Sequence, residues 1–90
     1  MKRSDAYYWG ILIAAMGGRG YVLAADLAKK LGSKRDADAA WPAWQEFCRK
    51  GKLLKYQKAP QARNSPVAYV LPEYEKDFEL NYPGFAKIIC

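Results

Sequence analysis

Ninety residues, about half of them hydrophobic and with a net charge of +6, suffice for one domain with a modest core and exclude bulk disorder. The sequence contains no His, and its two cysteines, Cys48 and Cys90, lie far apart. The usual general base and a cluster of metal ligands are therefore missing, which argues against an enzyme, a metal site or another cofactor. No apolar run approaches the ~18–20 residues of a membrane span, and the first residues lack a signal-peptide pattern, so we expect a cytoplasmic protein without membrane contact.

The charge is unevenly distributed along the chain. Residues 1–72 hold thirteen Lys and Arg against five Asp and Glu, whereas residues 73–90 hold two against four. A basic body suits a polyanion, because each neutralised phosphate releases counterions. The alternative is a basic surface that is merely solvated.

The first half of the chain predicts two helices with a short strand between them. Ser4 is a good N-cap for a helix over roughly residues 5–16, which Gly17-Gly18 ends. Residues 21–23 are strand formers and predict a brief edge strand. The apolar spacing over residues 24–31 predicts a second helix that ends at Gly32 and has no good N-cap.

A third helix follows, with Ser33 or Asp36 as its cap, and Pro42 interrupts it. Because proline removes a backbone hydrogen bond and restricts the preceding residue, the pattern favours a short turn at 36–40 and then a helix from Pro42 to Lys50 over one kinked helix. Trp41 and Trp44 lie on its apolar stripe and are expected in the core. An exposed Trp41 would instead stack on a base or fill a pocket of a partner.

Beyond Gly51 the pattern becomes strand-like, in two runs around residues 53–56 and 67–71. The nine residues between them are rich in turn formers and predict an open hairpin. Pro66 and Pro72 bracket the second strand, so it is expected at an edge of the sheet or to end there.

The segment 73–90 is acidic and aromatic, and both helical and extended patterns fit parts of it. Tyr82-Pro83-Gly84 predicts a turn. We expect this tail to pack on the domain, against the first helix, or on a second copy of the chain.

Two motifs stand out within residues 5–72: Leu27-Ala28-Lys29-Lys30-Leu31-Gly32 in the second helix and Arg49-Lys50-Gly51-Lys52-Leu53 where the third helix ends. With the order helix, strand, helix, helix, strand, loop, strand, they resemble the winged helix-turn-helix family of DNA-binding proteins, as in small MarR-like regulators. The resemblance implies an α+β fold with three helices, a short β-sheet and a two-stranded wing. The predicted organisation is therefore a winged helix domain over 1–72 and a C-terminal tail over 73–90.

The resemblance also implies binding of duplex DNA, with the third helix in the major groove and the wing along the backbone. Asp38 is repelled by phosphates and Pro42 offers no polar contact, so the third helix is poorly suited to contact DNA. The expected contact therefore shifts towards the wing. The function predicted is that of a small transcription or replication regulator that is not an enzyme and acts alone or as a homodimer. The residues predicted to contact DNA are Lys34, Arg35, Gln45, Arg49, Lys52, Lys55, Lys58, Arg63 and Asn64.

The alternative function is a protein-interaction module on the same scaffold. A small chain with a basic body and an acidic aromatic tail would suit docking on a nucleoprotein complex, as small phage-type inhibitors do. Fold alone does not decide between a DNA partner and a protein partner.

Overall fold

The computed structural model describes residues 4–58 and 66–88, except for the side chain of Lys34. Within these residues the protein is a small α+β domain with four α-helices and a four-stranded antiparallel sheet. The elements in chain order are α1 (Asp5–Met16), β1 (Tyr21–Leu23), α2 (Ala24–Leu31), α3 (Lys34–Arg49), β2 (Leu54–Gln57), β3 (Val67–Val70), a 3-10 turn (Pro72–Tyr74), α4 (Glu75–Asn81) and β4 (Ala86–Ile88).

Short local signals set the ends of the first three helices, and the predicted caps at Ser4 and Ser33 and the predicted stops at Gly17 and Gly32 are confirmed. The Ser4 hydroxyl accepts a hydrogen bond from the Tyr7 amide at 3.3 Å, and the Ser33 hydroxyl accepts one from the Asp36 amide at 3.2 Å. Gly17 and Gly32 follow α1 and α2 in the left-handed conformation that glycine adopts most easily. As expected, α2 begins without a side-chain cap.

The predicted break at Pro42 is wrong, because α3 is one helix that contains this proline. Ala40 before the proline and Trp44 and Phe47 after it are all buried in the same core. Burying one large apolar side chain is worth about 1.5–3 kcal/mol, so these contacts together outweigh the roughly 3 kcal/mol that an internal proline costs.

The sheet has the strand order β1-β3-β2-β4. The prediction that β3 lies at an edge is therefore wrong, since β3 pairs with both β1 and β2. The second possibility, that the strand ends at the prolines, is confirmed. Pro66 and Pro72 both lie outside the hydrogen-bonded residues of β3. The strand can therefore be central without losing a hydrogen bond to proline.

Each face of the sheet has a core of its own. On one face, α1, α2 and α3 cover Val22 and Tyr69 with side chains such as Leu12, Leu27 and Trp44. On the other face, Phe78 of α4 packs on a second cluster, which contains Tyr56, Ala68 and Val70. The sheet thus forms the middle of three layers.

The tail packs on the domain and forms the third layer, but it does so on the sheet. Its buried residue, Phe78, packs on the sheet, whereas α1 was expected as its support. After the turn at 82–85, β4 pairs with β2 in antiparallel register, with Lys55 opposite Ile88. The tail therefore adds a helix and a strand to the three helices and short sheet that were predicted.

A close approach at Gly20 holds the start of the tail against the turn between α1 and β1. Gly20 has φ +80°, and a Cβ at this position would overlap the ring of Tyr74. The Leu71 amide donates a hydrogen bond to the Gly20 carbonyl at 2.9 Å. Only glycine fits both the backbone conformation and the space that remains.

Candidate nucleic-acid interface

The helix α3 has one face in the core and one in solvent. Ala40, Ala43, Trp44 and Phe47 are buried beneath it. A spacing of 3.6 residues per turn places the outward face opposite them. That face carries Asp38, Pro42, Gln45 and Arg49, as the sequence indicated, of which Gln45 is half-buried and the other three are exposed.

The charges of α3 cancel. Its basic residues are Lys34, Arg35 and Arg49, and its acidic residues are Asp36, Asp38 and Glu46. The Arg49 guanidinium also pairs with the Glu46 carboxylate, with Nη2 at 2.8 Å from Oε2, and its side chain is 70% exposed. A pair this exposed contributes little to stability, but it reduces the positive potential that Arg49 offers to a phosphate. The helix alone is a weak anchor for a polyanion.

Trp41 lies at the border between the core and the surface and remains 37% exposed, although the core was the expected position. The centroid of its indole ring lies 6.0 Å from that of Trp44 and 5.9 Å from that of Tyr69. Lys55 of β2 reaches over the same ring, with Nζ 5.6 Å from the centroid. A cation at this distance is attracted to the electron-rich face of the indole.

The pairing register explains how Lys55 meets α3. Val22, Tyr69 and Lys55 are partners across β1, β3 and β2, so their side chains point to the same face of the sheet. The helices cover Val22 and Tyr69, while Lys55 is only half-buried. The structure thus brings Lys55, which was predicted for the wing, against Trp41, which was expected in the core.

A groove of about 610 Å³ runs beside Trp41, between α2 and α3. Ala28, Lys29 and Gly32 line it on the α2 side, and Ala37, Asp38 and Trp41 line it on the α3 side. Sequence reasoning missed Lys29 as a candidate contact, because it entered only as part of the motif of the second helix. The packing of α2 against α3 places Lys29 and Trp41 along the same groove.

The remaining predicted contacts do not form one patch. Lys52 lines a separate groove of about 520 Å³ together with Asp5, Trp9 and Glu73. Lys58 is exposed at the base of the β2–β3 loop, where its amide donates to the Pro66 carbonyl at 3.0 Å. Arg35 is exposed at the first turn of α3, the side chain of Lys34 is not described, and Arg63 and Asn64 lie outside the described residues.

The perturbed titratable groups lie with the tail, not with α3. Burial, and then a hydrogen bond to Glu79, raises the pKa of Tyr56 above its ordinary value. A hydrogen bond with Tyr82 raises the pKa of Tyr21, and the Lys87 ammonium at 2.7 Å lowers the pKa of Glu75. These shifts follow from packing of the tail on the sheet and do not point to acid–base chemistry in a cleft.

Residues 4–58 and 66–88 contain no group of three or more Cys, Asp or Glu side chains placed to hold a metal ion. None of their helices is long and apolar enough to cross a membrane. Comparison of the chain with protein-family models, with curated proteins and with solved structures gave no match.

Proposed function

We propose that the chain is a winged-helix protein that binds duplex DNA through α3 and the β2–β3 hairpin. The order α1-β1-α2-α3-β2-β3 is the one on which the resemblance to winged helix-turn-helix proteins rests, and α2 and α3 are adjacent helices joined by a short turn at Gly32. In this proposal the outward face of α3 enters the major groove, and the hairpin is the wing.

The observation that carries the proposal is the meeting of Trp41 and Lys55. It joins a partly exposed residue of α3 to a lysine of the hairpin, which supports a binding surface that includes both elements. Gln45 on α3 offers an amide for base edges, and Lys55 and Lys58 offer ammonium groups for phosphates. The hairpin rather than the neutral helix then supplies most of the electrostatic attraction.

The proposed role is one of binding and regulation, with no catalytic step. One small module reads few base pairs, so a two-fold dimer on two half-sites is the arrangement we propose for a regulator of transcription or replication.

Titration of a labelled duplex at several salt concentrations tests the DNA proposal directly. If Lys55, Lys58 and Arg63 each contact a phosphate, the logarithm of the binding constant should fall with the logarithm of salt concentration at a slope of about −3. The double substitution Lys55→Ala and Lys58→Ala should reduce that slope by about 2. Lys76→Ala is the matched control, because Lys76 is exposed on α4, on the opposite side of the sheet. Absence of duplex binding at low salt would overturn the proposal.

The balanced charge of α3 favours a second function, in which the same surface binds a protein. Three acids beside three bases, with Arg49 already paired to Glu46, suit a protein partner better than a phosphate backbone. This function predicts that a partner co-purifies from lysate after nuclease treatment. If every co-purifying protein disappears with the nucleic acid, the DNA proposal is favoured and the protein-binding function fails.

A further inference from the structure

The indole ring of Trp41 is held in a fixed position and is partly exposed, so a ligand can stack on it without first ordering the side chain. Edge contacts with Trp44 and Tyr69 hold the ring, and Lys55 stands over it, yet more than a third of the residue remains exposed beside the α2–α3 groove. A large aromatic side chain held in place loses little conformational freedom on binding. Nucleobases that are free of their duplex partners stack on such rings.

Asp38 adds a hydrogen-bond acceptor to the same wall of the groove. It lies three residues before Trp41 on α3, so the two side chains are neighbours on the helix surface. No ion pair or side-chain hydrogen bond engages its carboxylate within the described residues. An ionised carboxylate only accepts hydrogen bonds, so a ligand at this position must offer donors.

Among the four bases, guanine matches this acceptor best. Its Watson–Crick edge carries an N1–H and an N2 amino group side by side, which together fit the two oxygens of one carboxylate. In a closed duplex this edge is paired with cytosine and is out of reach. The acceptor on α3 therefore suits a guanine that is unpaired.

The opposite wall supplies the charge that a nucleotide needs. Lys29 of α2 lines the groove and is exposed, so its ammonium is available to a phosphate. The volume of about 610 Å³ falls within the range of roughly 300–1,000 Å³ that small ligands occupy in proteins. Aromatic ring, acceptor and cation thus line one groove of suitable size.

We propose that the α2–α3 groove binds one unpaired guanine nucleotide, which stacks on Trp41, donates to the Asp38 carboxylate and places its phosphate beside Lys29. This inference rests on the proposed DNA-binding function and names its preferred ligand: DNA with an unpaired guanine, at a bulge or a junction with a single strand. It also gives a role to Asp38, which is unfavourable in a helix that only contacts phosphates and paired bases.

Fluorescence anisotropy with a set of matched DNAs tests the groove. The set contains one fully paired duplex and four otherwise identical duplexes with a single bulged G, A, C or T. We expect the wild-type protein to bind the bulged-G duplex about tenfold more tightly than the paired duplex. The bulged-G duplex should also be bound more tightly than the bulged-A duplex.

Two variants separate stacking from base recognition. Trp41→Leu should lower the ratio of bulged-G to paired-duplex affinity about tenfold, whatever it does to binding of the paired duplex itself. Asp38→Asn should bring the ratio of bulged-G to bulged-A affinity close to one. Removing a negative charge raises the affinity for all five DNAs, and the ratio cancels this effect. Because Trp41 touches the core and its variant can lose stability, Asp38→Asn at an exposed position keeps the test decisive. Tyr7→Leu, an exposed aromatic on α1 outside the groove, is the control and should behave as wild type.

Each result separates this inference from the function on which it rests. Equal affinity of the wild type for paired and bulged-G duplexes would overturn the inference and leave DNA binding standing. A guanine preference that survives in Asp38→Asn would overturn the assignment to this groove. Binding to none of the five DNAs would instead overturn the proposed function itself.

Discussion

Tyr56 shows how a single side chain connects the tail to the sheet. It lies on β2 and is buried, its ring centroid is 4.8 Å from that of Phe78, and its hydroxyl donates a hydrogen bond to Glu79 at 3.0 Å. Burial and this bond both favour the neutral phenol, which is why its pKa is raised. The pKa of Tyr56, a residue of the sheet, therefore depends on the packing of α4.

The raised pKa of Tyr56 makes stability depend on pH in the alkaline range. The unfolded chain loses the phenolic proton near pH 10 while the folded chain keeps it, so the stabilisation is complete below pH 10 and is lost as pH rises above it. We expect the free energy of unfolding to fall there by up to about 1.4 kcal/mol per pH unit for this group, and Tyr56→Phe to remove that part of the slope. Urea unfolding between pH 9 and about 11.5 measures it.

A ring substitution in the same cluster is the control for Tyr56→Phe. Phe85→Leu changes packing on Phe78 without removing a titratable group, so it should lower stability by a similar amount at every pH. Identical pH slopes for the wild type and Tyr56→Phe would contradict the expectation.

At the scale of the residue, sequence reasoning succeeds where the cause is local. Ser4 and Ser33 cap helices because a hydroxyl reaches an amide three residues away, and this follows from the sequence alone. Trp44 is buried because it lies in the middle of an apolar stripe. The contact of Lys55 with Trp41 could not be predicted, since it depends on the register between β2 and β3.

At the scale of the element, α3 shows tertiary packing prevailing over a local rule. The helix continues through Pro42 because the side chains on both sides of the proline share one core. Similarly, β3 is central because it pairs with β1 along one edge and with β2 along the other, which the bracketing prolines do not reveal. Helix starts and ends follow from local sequence, whereas continuity and strand order depend on partners distant along the chain.

Pro42 therefore reduces the stability of the helix that contains it. Pro42→Ala restores a backbone donor to the interior of α3 and removes the clash of the ring with the preceding turn, so we expect stability to rise by about 1–3 kcal/mol. Thermal or urea unfolding measures the gain. Pro72→Ala is the matched control, because this proline begins the 3-10 turn, where no donor is needed, and its replacement should not stabilise. A loss of stability in Pro42→Ala would contradict this account.

At the scale of the whole molecule, the tail is part of the fold. The sequence divides at residue 72 by charge, but the second core, which Phe78 completes, lies across that division. Composition suggested a boundary because acids and aromatics alternate after it. The aromatic rings of the tail pack on the sheet while most of its acidic side chains remain exposed.

Two positions on α4 test how much the tail contributes. Phe78 is 1% exposed and Leu80 is 80% exposed, so the same helix offers a buried and an exposed apolar residue. Phe78→Ala should lower the free energy of unfolding by about 3–5 kcal/mol, which is a large share of the ~5–15 kcal/mol typical of a domain. Leu80→Ala should change it by no more than about 0.5 kcal/mol. Chemical denaturation measures both, and a loss in Phe78→Ala as small as that expected for Leu80→Ala would show that α4 does not belong to the core.

The central position of β3 has a consequence for the order of events during synthesis on the ribosome. α1, α2 and α3 all precede β3 in the chain, yet Tyr69 of β3 completes the core that these helices share. Until β3 has left the ribosome, Leu27 and Trp44 have no sheet to pack against. Until then, part of the apolar surface of α1, α2 and α3 stays exposed. At this stage the newly made chain is prone to aggregate and to bind chaperones.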